Sequence, residues 1–315
     1  MKTISELKKE LTFNREMNEL MDILKKTATF EFQALFNRRK TLTVLEKYVS
    51  LLEDSLKLLP KGAQHPFLSN PLNKVILVVI TSDMGFVGGL NTEIIEVGLR
   101  QIRRKDELHL MVLGEKGQLY LQEKGHRFNF LPGVSSDIDF TLAEKLRDYI
   151  YASCWKYHVG RVVISYPKFI SFARQDIDTA TLVPCGYLFG ETEEEKPVDP
   201  QGHPVVEAQI QKPVNQTSPA QAGYLFEPSP QKVLDYLLRT YLAYKIYDIF
   251  WQVKLSEFAA RSMHLDGSMQ ELQEMKKGIQ SQYFRSKHEI TDRTIRDIFG
   301  GRIVTLKKMR EGTAV

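Results

Sequence analysis

A chain of 315 residues with 43% apolar side chains has enough material for one large buried core or two modest ones. Its 43 basic and 39 acidic residues nearly cancel to a formal charge of +4, too weak a balance to support a nucleic-acid-binding reading. The two cysteines, Cys154 and Cys185, form neither a CxxC nor a Cys/His zinc spacing, and they read as buried free thiols of a reducing compartment.

Met1 to Glu10 alternates charged and apolar side chains, so no signal peptide is expected. Apolar runs such as Val75 to Ile80 fall far short of the roughly 20 residues that cross a bilayer, which leaves membrane association to a partner.

From Thr3 to about Leu59 there is no proline or glycine, and Ile4, Leu7, Leu11, Met17, Leu20 or Met21, Leu24, Ala28 and Leu35 recur at helical spacing. This predicts one long N-terminal helix over residues 1–60, stopped by Pro60 and Gly62 and roughly 80 Å long, too long for a compact body to cover. Over residues 72–190 the pattern changes. Val75 to Ile80 reads as a strand, Asn91 to Arg104 as a helix, His109 to Leu113 as a strand, and Gln118 to Lys124 and Thr141 to Tyr157 as helices. Val162 to Tyr166 and Ile177 to Val183 read as a last, antiparallel pair of strands on a mainly parallel sheet. Residues 191–228 turn acidic and then rich in Pro, Gln and Gly, the composition of a linker. After Pro230 no proline follows, and Val233, Leu237, Tyr241, Tyr244, Ile249, Val253, Ala260 and Met263 predict a second long helix over 229–300, ended by Gly300 and Gly301. Residues 301–315 remain as a basic tail. The expected fold class is therefore α/β: long N- and C-terminal helices paired as an antiparallel coiled coil, with a Rossmann-like α/β domain inserted between them.

The segment Thr81-Ser82-Asp83-Met84-Gly85-Phe86-Val87-Gly88-Gly89-Leu90-Asn91 follows a strand and opens a helix, where nucleotide folds place a phosphate. Its glycines fall as GxxGG instead of GxGxxG, there is no GxxxxGK followed by Ser or Thr, and Asp83 would set a negative charge beside a bound anion. The residues favour a structural turn whose glycines admit positive φ and close helix approach. No cofactor, metal site or catalytic constellation is expected.

The run from Ile80 to Asn91 resembles the gamma subunit of F-type rotary ATP synthases, with Val87 in place of that family's usual cysteine. Tyr224 to Pro230 (YLFEPSP), Leu237 to Tyr241 (LLRTY) and Ser256 to Met263 (SEFAARSM) resemble the family's C-terminal helix in the same order. The resemblance marks Thr81, Ser82, Asp83, Gly85, Gly88, Gly89, Asn91, Ser256, Glu257, Ala260 and Arg261 as structural motif residues. Glu257 and Arg261 are also spaced for an ion pair on one helix face. It implies a non-catalytic central-stalk rotor standing in a ring of alpha and beta subunits, its foot against the epsilon subunit and the c-subunit ring, peripheral on the cytoplasmic face of an energy-transducing membrane. The family's contact positions with the stator fall on Met21, Lys287, His288, Asp292 and Asp297. Of these, His288 and Asp292 depart from the family's glutamine and threonine, and Leu20 stands where an alanine is expected. A non-rotary coiled-coil adaptor, or a specialised paralogue, would share the helix pattern and is set apart by the motifs alone; a nucleotide-binding enzyme would need the phosphate fingerprint that is missing.

Overall fold

Thr3 and Glu6 open the N-terminal helix as a capping box: the Glu6 N–H donates to Thr3 Oγ1 at 3.3 Å and the Thr3 N–H to Glu6 Oε2 at 2.8 Å. The computed structural model describes residues 2–40, 43–57, 65, 67–68, 74–103, 106–185 and 227–311. Within them the expected N-terminal helix is seen as α1 (Ile4–Lys40) and α2 (Thr43–Lys57), and residues 41–42 between them lie outside the described residues. Pro60, Gly62 and the greater part of the 191–228 segment lie outside the described residues.

The sheet begins with β1 (Lys74–Ile80), followed by α3 (Leu90–Arg100), β2 (Glu107–Leu113), α4 (Glu115–Glu123), β3 (Asn129–Leu131) and α5 (Phe140–Tyr157). β4 (Arg161–Ser171) and β5 (Arg174–Val183) close it as a hairpin. The strand order is β3-β2-β1-β4-β5, parallel throughout except for the antiparallel β4–β5 pair. β3 was not expected. At three residues, paired to β2 alone, it is too short to show a period.

The period of two in the strands sends alternate side chains to two cores. Ile76, Val78 and Ile80 of β1 join Val162 and Ile164 of β4 on one face, while Leu77 and Val79 meet Val163 with Ile94 and Ile95 of α3 on the other. The first face is covered by α1, α5 and the final helix, α6 (Pro230–Glu311). Ser229 precedes it as an N-cap, its carbonyl accepting from the Val233 N–H at 3.1 Å, and proline takes the first helical position, where its missing N–H is harmless. At 82 residues α6 spans about 120 Å.

Gly300 and Gly301 do not end α6, contrary to expectation. Neither adopts the positive φ that makes glycine a helix stop, and a helical glycine costs only about 1 kcal/mol relative to alanine. α1 and α6 run antiparallel: Lys25 pairs with Asp266, Thr29 Oγ1 meets Ser262 Oγ at 2.9 Å, and Arg39 reaches Asp248 at 3.3 Å. Of the expected seam residues, Leu7, Ala28, Leu35, Tyr241, Ile249, Val253 and Ala260 are buried, whereas Leu20 and Met263 face outward. Cys154 and Cys185 are free and buried, and loss of hydration pushes both thiols up to about 12.

A close approach fixes α4 on the end of β1. The Gly117 N–H donates to Thr81 Oγ1 at 3.0 Å, and a Cβ at this position would run into Thr81 and Val112. Gly117→Ala should therefore destabilise the fold by about 1–3 kcal/mol through overpacking, read as a lowered urea midpoint at unchanged m-value.

A polar cluster anchors the segment before β1 to α6. His65 Nε2 lies 3.2 Å from Asp235 Oδ1, the Tyr151 hydroxyl donates to the same oxygen at 2.8 Å, and the Phe67 N–H donates to His65 Nδ1 at 3.2 Å. His65 is thus held as the neutral Nε2–H tautomer. Its pKa is lowered, chiefly by burial, with the Asp235 carboxylate opposing. The unfolded chain therefore binds a proton more readily than the folded one. The stability this site contributes is complete above the ordinary histidine value of 6.5 and drains away as the pH falls from there towards the lowered folded value. Urea titrations at pH 7 and pH 5 should show a loss on acidification that is smaller in a His65→Asn variant.

Candidate functional site

The two stretches singled out in the sequence, 80–91 and 256–263, meet in space. The first leaves the end of β1 as a turn tied down at both ends. Thr81 donates both its N–H and its hydroxyl to the Leu113 carbonyl at 2.8 Å. Ser82 N–H donates to Asn91 Oδ1 at 3.0 Å, and Asn91 Nδ2 donates to Ser82 Oγ at 2.9 Å, so that Asn91, in the first turn of α3, closes the loop on itself. Asp83 Oδ1 accepts from the Glu115 N–H at 3.1 Å, supplying the cap that Gly114 cannot give α4. The carboxylate also packs against Gly133, where a side chain would collide with it.

Phe86 and Gly88 both take positive φ, 63° and 62°. The reversed backbone leaves the Met84 and Gly85 carbonyls facing α6. Arg261 receives them: its Nε donates to the Gly85 carbonyl at 3.2 Å and an Nη to that of Met84 at 3.5 Å. Gly89, at the helix N-terminus, makes no side-chain cap and Gly85 lies in open contact with the Lys116 stem.

On α6 the same guanidinium pairs with Glu257 Oε1 at 2.6 Å, and Lys254 Nζ takes Oε2 at 2.7 Å. All three side chains are almost fully buried, Glu257 at 4% exposure. The two cations also lie over the Phe258 ring, at 5.7 Å for Lys254 and 5.5 Å for Arg261. Next to Glu257, Ser256 Oγ donates to the Pro167 carbonyl of β4 at 3.1 Å, and Ala260 is small enough for close approach. The motif residues of α6 are therefore a latch that joins the long helix to the sheet at two places.

The spacing of Glu257 and Arg261 foretold their pairing. Lys254 and Phe258 were missed, although a lysine three residues before a glutamate inside an apolar run is itself a legible sign of a buried pair. The chemistry of this site is recognition between parts of the chain. The turn's polar groups are consumed by protein partners, and among the described residues no three His, Cys, Asp or Glu side chains gather as metal ligands.

The tip residues are arranged differently. Lys287, His288, Asp292 and Asp297 are all exposed on α6, beyond the point where α1 begins to pair with it. They lie along one helix and do not converge on a cavity. Met21 is half-buried on the side of α1 that faces α6, while its neighbours Leu20 and Ile23 are exposed.

The family model described as ATP synthase matches residues 13–302. The ATP synthase gamma chain of Halothermothrix orenii is 24% identical over 304 residues, covering 96% of this chain and 98% of that relative. The gamma chain of Heliobacterium modesticaldum is 26% identical over 239 residues, 75% of this chain and 76% of the other. Among solved structures, a chain of the Euglena gracilis mitochondrial ATP synthase, OSCP/F1/c-ring, superposes with a TM-score of 0.68 at 14% identity over 99% of this chain and 96% of that one. A chain of the Tetrahymena thermophila mitochondrial ATP synthase central stalk and c-ring gives 0.53 at 17% identity, covering 79% and 99%. With the match running through both long helices, the turn and the latch, this chain belongs to the ATP synthase gamma-chain family.

Proposed function

We propose that the chain is the central-stalk rotor of an F-type ATP synthase: a Rossmann-like α/β domain inserted between the two strands of an antiparallel coiled coil, turning inside a ring of alpha and beta subunits. In this reading the body bears on the epsilon subunit and the c-subunit ring, on the cytoplasmic face of the membrane. Contact with the bilayer runs through those partners; among the described residues no helix is long and apolar enough to cross it. The part is non-catalytic. It couples ion-driven rotation to the conformational cycle of the beta subunits.

The observation that carries this reading is the continuity of α6 from the body into the seam and past it. A rotor must deliver torque over a distance without a hinge. An uninterrupted helix does this, because its backbone hydrogen-bond ladder contains no proline after Pro230. Asymmetry arises because α1 starts at Ile4, opposite the region just before Lys287, so the tip of α6 is a single helix while the part below is double. Lys287, His288, Asp292 and Asp297 on that single helix are the proposed stator contacts, with Met21 acting from the seam. Exposed charges of this kind can form and break pairs cheaply as the shaft turns.

Co-expression with the alpha and beta subunits of the same organism should yield a complex whose ATPase activity falls when residues 1–12 and 297–315 are deleted. Failure to co-purify, or activity indifferent to the deletion, would overturn the reading.

The latch generates a second expectation. Glu257→Gln leaves Lys254 and Arg261 buried without a counter-charge and should destabilise the fold by about 3–5 kcal/mol. If the latch also transmits torque, the assembled enzyme carrying this change should hydrolyse ATP while pumping fewer ions per ATP, measured by dye-quench pumping against phosphate release. Unchanged coupling would confine the latch to folding.

A further inference from the structure

The seam between α1 and α6 repeats every seven residues. On α1 its inward positions are Leu7, Asn14, Met21, Ala28 and Leu35, an unbroken heptad of buried or half-buried side chains, with Asn18 on the same face one turn after Asn14. Each step along α1 is matched by a step back along α6, as the Lys25–Asp266 and Thr29–Ser262 contacts show. Carried towards the N-terminus, that register sets Asn14 against the turn of α6 that holds Lys276.

This layer is polar and unsatisfied. Asn14 is only 4% exposed, and the Oδ1 atoms of both Asn14 and Asn18 are shielded from solvent without a hydrogen-bond partner. Lys276 is half-buried at the same height and enters no ion pair among the described residues. An amide oxygen shielded in this way has given up its hydrogen bonds to water and received none in return among the described residues.

The rest of the seam is built otherwise. On the body side of the layer, Ala28, Phe32 and Leu35 belong to the main core, and Lys25 and Thr29 find partners on α6. On the far side, α1 contributes the buried Leu7 with the half-buried Ile4 and Leu11. Opening the seam there exposes one fully buried leucine and two half-buried apolar side chains, and it returns two shielded amide oxygens to water.

We propose that Asn14, Asn18 and Lys276 form a release layer at which the first turns of α1, Ile4 to Asn18, part from α6 while the seam beyond Met21 stays closed. The layer would make the N-terminal end of the pair a separately opening unit, whatever machine the chain serves. It does not rest on the rotor reading.

Hydrogen exchange on the full chain tests this directly. Amides of residues 5–18 should exchange at least about tenfold faster than those of residues 28–39 in the unaltered protein. Replacing both amides by leucine (Asn14→Leu with Asn18→Leu) should slow exchange in 5–18 by roughly tenfold or more and leave 28–39 unchanged. Lys276→Leu should act in the same direction. Equal protection of the two segments, or no slowing in the double variant, overturns the proposal. So does faster exchange in Lys276→Leu, which would mean that the lysine satisfies the amides and holds the layer shut.

Discussion

One helix is asked to live in three environments. Between Leu234 and Leu265 α6 is buried on nearly every side, wedged between the sheet, α5 and α1. From there to about Tyr283 it shows α1 a single seam, and beyond that it stands alone. Apolar side chains all round, then a stripe, then a solvated surface are the patterns these three settings demand. Because the backbone is continuous, whatever turns or holds the buried third turns or holds the rest. The body therefore acts on the tip without a joint.

The buried Lys254–Glu257–Arg261 group fixes the rotational phase of α6 against the sheet. Apolar packing alone is tolerant of small rotations of a helix in its socket. A guanidinium that must satisfy a carboxylate and two backbone carbonyls at once is not. Buried ion groups contribute modestly to net stability, since hydration is lost before the pairing is gained, and their best-attested use is in selecting one arrangement over near neighbours. The positive φ values at Phe86 and Gly88 belong to the same device, because they bring the Met84 and Gly85 carbonyls round to meet Arg261. Ser256, beside Glu257 and bonded to β4, gives a second point of attachment and so fixes tilt as well as rotation.

The long helices, the strands of the sheet and the Glu257–Arg261 pair were legible in the sequence because each rests on a local period or spacing. What escaped it depends on distance or on small balances of energy. The passage of α6 through Gly300 and Gly301 reflects the modest penalty of helical glycine, which a neighbouring helix turn can carry. β3 exists because β2 offers an edge at that place. The latch needed knowledge that residues some 175 apart are neighbours. The motifs flagged each half separately, and neither half alone specifies its partner.

The tip completes the argument about the shaft. Ile295, Ile298, Phe299 and Ile303 recur at three- and four-residue steps on the unpaired part of α6, and all are exposed. An isolated helix of this length, carrying two adjacent glycines, would be marginal in water. Its continuity with the seam removes the cost of nucleation, which accounts for the helix persisting but not for the apolar stripe along it. Such a stripe on an otherwise solvated helix is unfavourable unless a surrounding surface takes it out of water. Beside the exposed charges at Lys287, His288, Asp292 and Asp297, whose pairs form and break cheaply, an apolar stripe also suits a turning tip. Nondirectional contacts hold a shaft on its axis without holding it at one angle.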